Sequence, residues 1–229
     1  LLTVEDFLAG VRCLRHLWYR RNRGLEEEAP LFRAYERAQT ARLAQVLAAR
    51  PEAGDYSELD CEAAVGADLR AAVRVSARVN PDSGVVSTIR LARASTSLKE
   101  SILREAAFLR YVIAEAACGE PDVEVLLLDK SFRYPGGGNY TGLLQTADVT
   151  AQAAGRHTRV AARIAEMAET LRLGEQELRA AVPPCGRRNC PVCAGRSRQS
   201  NAAGKPDREP APHDRIREHA GRTGRTHVD

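Results

Sequence analysis

Residues 85–128 read VVSTIRLARASTSLKESILREAAFLRYVIAEAACGEPDVEVLLL, and their hydrophobic period changes twice. The first part, 85–93, alternates between apolar and polar residues as a strand does. From 97 to 117 the apolar residues recur at helical spacing, and 121–130 is an almost continuous apolar run typical of a buried strand. The stretch therefore predicts a strand, a helix and a second strand.

The flanking sequence extends this pattern in both directions. YSELDCEAAV (56–65) and LRAAVRVSARVN (69–80) also have strand patterns, with Gly66 and the PDSG segment (81–84) at the turns. Helices are predicted after a cap at Thr3, over about 31–49 and over about 157–173. The order is helix, three-strand meander, helix, strand, helix, which predicts an α/β fold with a mixed sheet.

Three cysteines in CGRRNCPVC (185–193) are spaced C-x4-C-x2-C, and Cys13 lies far from them near the start of the chain. Three thiolates this close can bind one metal centre, and tetrahedral zinc or a four-iron cluster needs a fourth ligand. We expect Cys13, Cys185, Cys190 and Cys193 to share one centre, as a 4Fe-4S cluster or, alternatively, zinc. A redox-active or disulfide-bonded pair within the knuckle is the remaining alternative.

Three other residues bear on this hypothesis. Cys61 falls in a strand pattern and Cys118 at a helix end, where small buried thiols are common, so both are predicted to lie in the core. His16 follows Cys13 by about one helical turn and is a possible substitute ligand. A surface or capping role is the alternative for His16.

The composition indicates one substantial domain and a tail. The chain has 229 residues, 44% of them hydrophobic and 28% charged, which is enough to bury one core. No apolar run approaches the roughly 20 residues that span a bilayer, and the amphipathic start has no cleavable leader pattern. We therefore expect a cytoplasmic protein without membrane contact, in a reducing compartment that favours metal over disulfide.

The end of the chain has a different composition. Residues 195–229 contain eight Lys/Arg and five Asp/Glu, which leaves a net charge of only +1 for the rest of a chain whose total is +4. Rich in Gly, Pro and Arg, this segment is predicted to be a disordered basic tail, and residues 1–194 the folded domain. A segment of this composition is usually just a solvated tail, and weak contact with nucleic acid is the alternative.

Three stretches are informative together with the cysteine arrangement: 2–21, 90–113 and 126–150. They resemble the RecB-like branch of the PD-(D/E)XK nucleases, and in particular its bacterial members with an iron–sulfur cysteine set. LTVEDFLAGVRCLRHLWYRR (2–21) resembles the opening helix of that branch, which carries the first cysteine. RLARASTSLKESILREAAFLRYVI (90–113) resembles its central strand and helix, and LLLDKSFRYPGGGNYTGLLQTADVT (126–150) resembles the strand and loop that follow. The resemblance implies a restriction-endonuclease-like core over about residues 3–193.

The same resemblance implies that the catalytic site is degenerate. The family holds Mg²⁺ with an Asp on the second strand and a Glu on the third, and a Lys two residues after the Glu helps the attacking water. Here Arg78 falls near the Asp position, Leu91 at the Glu position and Arg93 at the Lys position, while Leu109 replaces a frequent glutamine. None of these side chains can bind magnesium, so no catalytic residue is assigned.

Nucleic-acid binding is predicted from two groups of residues. If Arg78 and Arg93 share the former metal pocket, their guanidinium groups could hold a phosphate, and Lys99 lies in a polar corner (95–99) where backbone donors meet a cation. The loop SFRYPGGGNYTG (131–142) sets Arg133 beside Tyr134, a combination suited to stacking with single-stranded nucleic acid. Solvent-facing strand arginines, a helix cap at Thr96 or Ser97, and a flexible loop are the alternatives.

Three functions follow from these observations. The leading hypothesis is a degenerate RecB-like protein with an iron–sulfur cluster that binds DNA or RNA without cutting it. An active metal-dependent DNA nuclease with displaced ligands is the second. A non-catalytic protein that binds a protein partner or senses redox state is the third.

Overall fold

The computed structural model describes residues 1–25 and 55–194, together with the single positions 38, 39, 43 and 46. These described residues belong to one compact unit. The helix predicted over 31–49 lies outside the described residues except at those four positions, which are helical. The tail predicted to be disordered, 195–229, lies outside the described residues altogether.

The fold is mixed α/β, with one five-stranded sheet. Its strands stand in the order in which the chain makes them: β1 (Ser57–Ala64), β2 (Arg70–Val79), β3 (Val86–Ala92), β4 (Asp122–Leu128) and β5 (Leu144–Asp148). Strands β1, β2 and β3 form the predicted antiparallel meander. Strand β4 runs parallel to β3, and β5 runs antiparallel to β4.

Helix α3 (Glu100–Glu115) makes the crossover that lets β3 and β4 run parallel. Parallel neighbours need such a connection, because a tight hairpin can only join antiparallel strands. The helix is buried on more than one side, since every residue from 106 to 113 is buried. Its Ile102, Phe108 and Ile113 belong to the hydrophobic core that it forms with the sheet and the other helices. The strand, helix and strand predicted from residues 85–128 are thereby confirmed.

Alternation in the strands directs one face of the sheet to the core. In β2, Ala71, Val73, Val75 and Ala77 are buried, while Arg74 between them is exposed. This is the period of two that a strand imposes on its side chains. The buried face meets the helices, where Phe7 stacks on Phe108 with ring centroids 4.4 Å apart.

The N-terminal helix is divided into two by Cys13: α1 (Val4–Arg12) and α2 (Leu14–Arg23). The predicted cap at Thr3 is confirmed, since its hydroxyl accepts a hydrogen bond from the Asp6 N–H at 3.2 Å and the Asp6 carboxylate accepts one from the Thr3 N–H. Cys13 itself has extended backbone angles, φ −164° and ψ 116°. The chain therefore turns at the cysteine.

Three helices follow the sheet: α4 (Thr150–Ala154), α5 (His157–Arg172) and α6 (Glu175–Ala181). The long one, α5, was predicted, whereas α4, α6 and strand β5 were not. These three are only five to seven residues long, too short for a period to stand out. Among the described residues, no helix is long and apolar enough to cross a membrane.

Candidate functional site

The four predicted cysteines converge. The Sγ atoms of Cys13, Cys185, Cys190 and Cys193 all lie within 4.8 Å of one another, and those of Cys13 and Cys193 are 3.7 Å apart. Cys13, Cys190 and Cys193 are buried, and Cys185 is partly exposed. Four thiols in such a group could hold a metal ion.

The break between α1 and α2 places Cys13 in the site. Cys13 ends α1 and also caps α2, where its Sγ accepts a hydrogen bond from the His16 N–H at 3.4 Å. A sulfur at the start of a helix faces unpaired backbone donors and the positive end of the helix dipole, both of which favour the thiolate. His16 thus contributes its backbone N–H, and its imidazole is not one of the four clustered ligands.

The knuckle that carries the other three cysteines is a series of tight turns. Gly186, at φ 66°, occupies the left-handed region directly after Cys185, a conformation that favours glycine. The Cys190 N–H then donates to the carbonyl of Arg187, and the Ala194 N–H to that of Cys190. These turns bring the C-x4-C-x2-C sulfurs to one side of the segment.

Arg15, which was not predicted as a site residue, fixes the knuckle against α2. This side chain is 6% exposed, and it donates to the carbonyl of Val182 at 2.6 Å and to that of Arg179 at 2.9 Å. Both carbonyls belong to the end of α6, where helix carbonyls lack internal partners. Arg15 therefore holds the chain just before Cys185 at a fixed distance from Cys13.

A second group of contacts joins the start of α6 to α2. The Trp18 indole N–H donates to the Leu173 carbonyl at 2.8 Å. The Glu175 carboxylate accepts from the Tyr19 hydroxyl at 2.8 Å and pairs with Arg23 at 2.8 Å and with Arg179. Hydrogen bonds from Tyr19, Arg23 and Arg179 lower the pKa of Glu175 to about 2. Nothing in the sequence pattern marked this residue, because its partners Tyr19 and Arg23 come from another part of the chain.

The thiols differ in how readily they ionise. Burial raises the pKa of Cys13, which the His16 N–H only partly offsets, and burial also raises the pKa of Cys190. Burial opposes ionisation of Cys185 as well, but the Arg187 N–H and the neighbouring thiols donate to its sulfur and bring its pKa below the usual value. A bound metal would displace the remaining protons, so metal affinity should rise with pH.

Cys61 and Cys118 form a separate pair. Their sulfurs are 3.6 Å apart, Cys61 on β1 and Cys118 just after α3, and both pack with the hydrophobic core as predicted. Burial and the hydrogen bond with Cys118 raise the pKa of Cys61 to about 11. The sequence did not indicate that these two thiols would meet.

Arg78 and Arg93 do not share a pocket. Arg78 pairs with Asp55 at 3.5 Å, while Arg93 pairs with Glu105 on α3. In the sheet, Arg78 on β2 is opposite Thr88 on β3. Thr88 precedes Arg93 by five residues, which corresponds to roughly 16 Å at the rise of a β-strand. Each guanidinium group is thus held by a local carboxylate.

Two of the other candidates lie at one edge of the sheet. Since β3 and β4 are parallel, the segments that follow them emerge together, and the Leu128 N–H donates to the Ser95 carbonyl at 2.8 Å. This edge carries Lys99 and the loop with Arg133. The expected cap at Thr96 or Ser97 is wrong: the cap position of α3 is Lys99, and no side chain caps the helix there.

The loop between β4 and β5 presents two stacked tyrosines. The rings of Tyr134 and Tyr140 are 5.2 Å apart and inclined by 23°, with the residues 53% and 46% exposed. The Tyr134 hydroxyl accepts a hydrogen bond from the N–H of Gly138, whose φ of 75° suits glycine. Arg133 beside them is exposed and bonds only to the adjacent Phe132 carbonyl among the described residues.

The positions that resemble catalytic ones offer no carboxylate pair. Leu91 is 4% exposed and lies in the core, and Leu109 is also buried. Within residues 1–25 and 55–194, the four cysteines are the group of metal-binding side chains that converges, and no set of three carboxylates does so.

Comparison with known proteins gave no match to any protein-family model, to any curated protein or to any solved structure.

Proposed function

We propose that this chain is a degenerate RecB-like nuclease-fold protein that carries a metal centre on its four cysteines and binds nucleic acid without cleaving it. The observation that carries the binding hypothesis is the exposed Tyr134–Tyr140 pair beside Arg133, on the sheet edge that also carries Lys99. Exposed aromatic rings next to cations are what single-stranded nucleic acid requires, because each base offers a stacking face and each nucleotide a charge.

The architecture supports the assignment to this family. An antiparallel meander, a crossover helix and a parallel fourth strand follow one another in the expected order, and the first cysteine stands near the start of the chain with three near its end. The loss of activity rests on Leu91, a buried apolar residue where the family has a magnesium ligand. Mg²⁺ needs oxygen ligands, and leucine has none.

For the metal centre, the family resemblance favours a 4Fe-4S cluster, whereas the sulfur spacing favours zinc. A tetrahedral zinc ion with Zn–S bonds of about 2.3 Å places its sulfurs about 3.8 Å apart, close to the 3.7 Å between Cys13 and Cys193. A four-iron cluster separates its cysteine sulfurs further, because the irons and sulfides lie between them. Cys185, the most exposed of the four, would then have to move outward.

The metal is identified by purifying the protein without oxygen and measuring its metal content and absorbance together. Iron together with inorganic sulfide supports the cluster. So does a broad visible absorption at about 400 nm, which arises from charge transfer from sulfur to iron. One zinc per chain and no visible absorption supports the alternative. Neither metal at stoichiometric amount would contradict a metal centre.

Nucleic-acid binding is tested by titrating the metal-loaded protein with a labelled single strand and with its duplex at several salt concentrations. Tyr134→Ala should weaken single-strand binding about tenfold, since one stacked base contributes roughly 1–3 kcal/mol, and should affect the duplex less. Tyr134→Phe is the matched control, because it keeps the ring. Lys99→Ala should lower the log–log salt slope by about one unit.

Two outcomes would reject the proposal. Absence of binding to DNA and RNA at low salt would leave the partner-binding or redox-sensing hypothesis. Mg²⁺- or Mn²⁺-dependent cleavage that persists through repurification and disappears in a variant of this fold would favour the active nuclease with displaced ligands.

A further inference from the structure

A cavity of about 370 Å³ is lined by none of the four clustered cysteines and by no residue of the tyrosine loop (131–142). Its walls are α1, the first turns of α3 and the first half of α5. Its apolar side is formed by Phe7, Val11, Val160 and Ala162, and charged residues line the rest. A concave site with an apolar wall and a few convergent polar groups is the usual form of a small-molecule site, and its volume is at the lower end of that class.

The charged lining is positive overall. Arg104, Arg156, Arg159 and Arg163 face Glu100 and Glu166, which leaves an excess of two positive charges. Glu100 accepts from Arg104 at 3.1 Å and from Arg156 at 3.0 Å, and Arg163 pairs with Glu166. Arg159 forms no ion pair or hydrogen bond with any residue in the described part of the chain.

The helix geometry adds to this positive potential. Both α3 and α5 have 16 residues, both begin at the cavity, and neither is capped by a side chain: their cap positions are Lys99 and Arg156. Each helix start therefore leaves backbone donors without a side-chain cap. The first turn of α5 has no acidic residue to offset the positive end of its dipole, whereas α3 has Glu100 in its first turn. The Nε of Arg156 is also buried without a hydrogen-bond partner in the residues that the structure describes.

We propose that this cavity binds a phosphate monoester attached to a compact apolar or aromatic group. A dianionic phosphate balances the excess of two positive charges, and forked guanidinium groups match its oxygens in pairs. The organic group packs against Phe7 and Val11. Arg159 is the main free contact for the phosphate, and Glu100 is the internal carboxylate that competes with it for Arg104 and Arg156.

Two sources carry this chemistry: a free small organic phosphate, or the 5′-terminal phosphate of a nucleic-acid strand. The second source fits the proposed function. Glu100, which lines the cavity, directly follows Lys99, which we assign to nucleic-acid binding at the sheet edge. The site itself goes beyond that function and does not depend on stacking by Tyr134.

The test is calorimetric titration of the full, metal-loaded chain with phenyl phosphate, compared with phenol and with inorganic phosphate. We expect one saturable site for phenyl phosphate, weaker binding of inorganic phosphate and none of phenol. Arg159→Ala should weaken phenyl phosphate about tenfold, as expected for loss of one charge-assisted hydrogen bond. Glu100→Gln should strengthen it several-fold, because it removes the competing charge.

Arg172→Ala is the matched control, since Arg172 lies on the same helix with an exposed side chain paired to Asp68. It should leave the affinity unchanged. No saturable binding of phenyl phosphate, or equal weakening by Arg159→Ala and Arg172→Ala, would overturn the proposal.

A 5′-phosphorylated and a 5′-hydroxyl oligonucleotide then distinguish the sources, both tested in the Tyr134→Ala variant. If the phosphorylated strand displaces phenyl phosphate and the hydroxyl strand does not, the ligand is the 5′-terminal phosphate of a strand. Failure of both strands to displace bound phenyl phosphate assigns it to free organic phosphates. Loss of nucleic-acid binding with retained phenyl phosphate binding would reject the proposed function and keep this site.

Discussion

Replacing Cys13 with serine should destabilise the whole domain, because this residue is the distant member of the cysteine site. The change removes one of four ligands and, with it, a cross-link between positions 180 residues apart in sequence. The chain-entropy relation for a cross-link closing a loop of this length gives about 5 kcal/mol. The three remaining cysteines lie within nine residues, and the loop they close is worth only about half of that.

This magnitude is comparable with the total stability of a typical domain, about 5–15 kcal/mol. For a chain of this size, 1 kcal/mol shifts Tm by about 2–4 °C, so we expect Cys13→Ser to lower Tm by at least 10 °C. The assay is thermal unfolding followed by circular dichroism, with metal content measured on the same samples. Chelation of the metal from the unmodified protein should reproduce most of the shift.

Cys118→Ser is the matched control, because it makes the same thiol-to-hydroxyl change outside the metal site. It should leave metal content at the level of the unmodified protein. Full metal content together with an unchanged Tm in Cys13→Ser would refute the idea that a shared metal ties the first helices to the end of the fold.

Three further predictions follow from buried or perturbed groups. Arg15→Met should cost about 3 kcal/mol and lower metal affinity, since it removes two charge-assisted hydrogen bonds to the carbonyls of Val182 and Arg179; equal denaturation midpoints and metal affinities for the two proteins would contradict it. Because the folded-state pKa of Glu175 is lowered to about 2, its contribution is present above the unfolded value of about 4.3 and is lost as the pH falls towards 2. The stability difference between the unmodified protein and Glu175→Gln, measured by urea denaturation, should therefore be largest near neutral pH and shrink in acid; a difference that grows in acid would be the wrong sign. Alkylation of Cys61, whose pKa is raised to about 11, should accelerate about tenfold per pH unit between 7 and 10, because the thiolate is the nucleophile. A rate that levels off by about pH 9.5 would show an ordinary thiol with a pKa of about 8.5.

Local patterns determined most of the regular elements of this protein. The alternation in 70–79 and the helical period in 100–115 reflect which side chains are buried. Such a pattern can be recognised within the segment itself, without knowledge of the rest of the fold. The C-x4-C-x2-C spacing was equally local, since tight turns within nine residues are enough to bring the three sulfurs together. Strand β5 and the short helices escaped because neither a long period nor a continuous apolar run marks them.

Only the tertiary structure decided which distant groups meet. Cys13 joins the other three cysteines because the chain turns between α1 and α2, and because Arg15 holds the end of α6 in place. Arg78 and Arg93 are kept apart by the register of β2 and β3, and each has a carboxylate partner that no spacing rule names. The cavity at the starts of α3 and α5 arises in the same way: its arginines come from helices about fifty residues apart, and only the packing of the two helices against α1 gives them a common site.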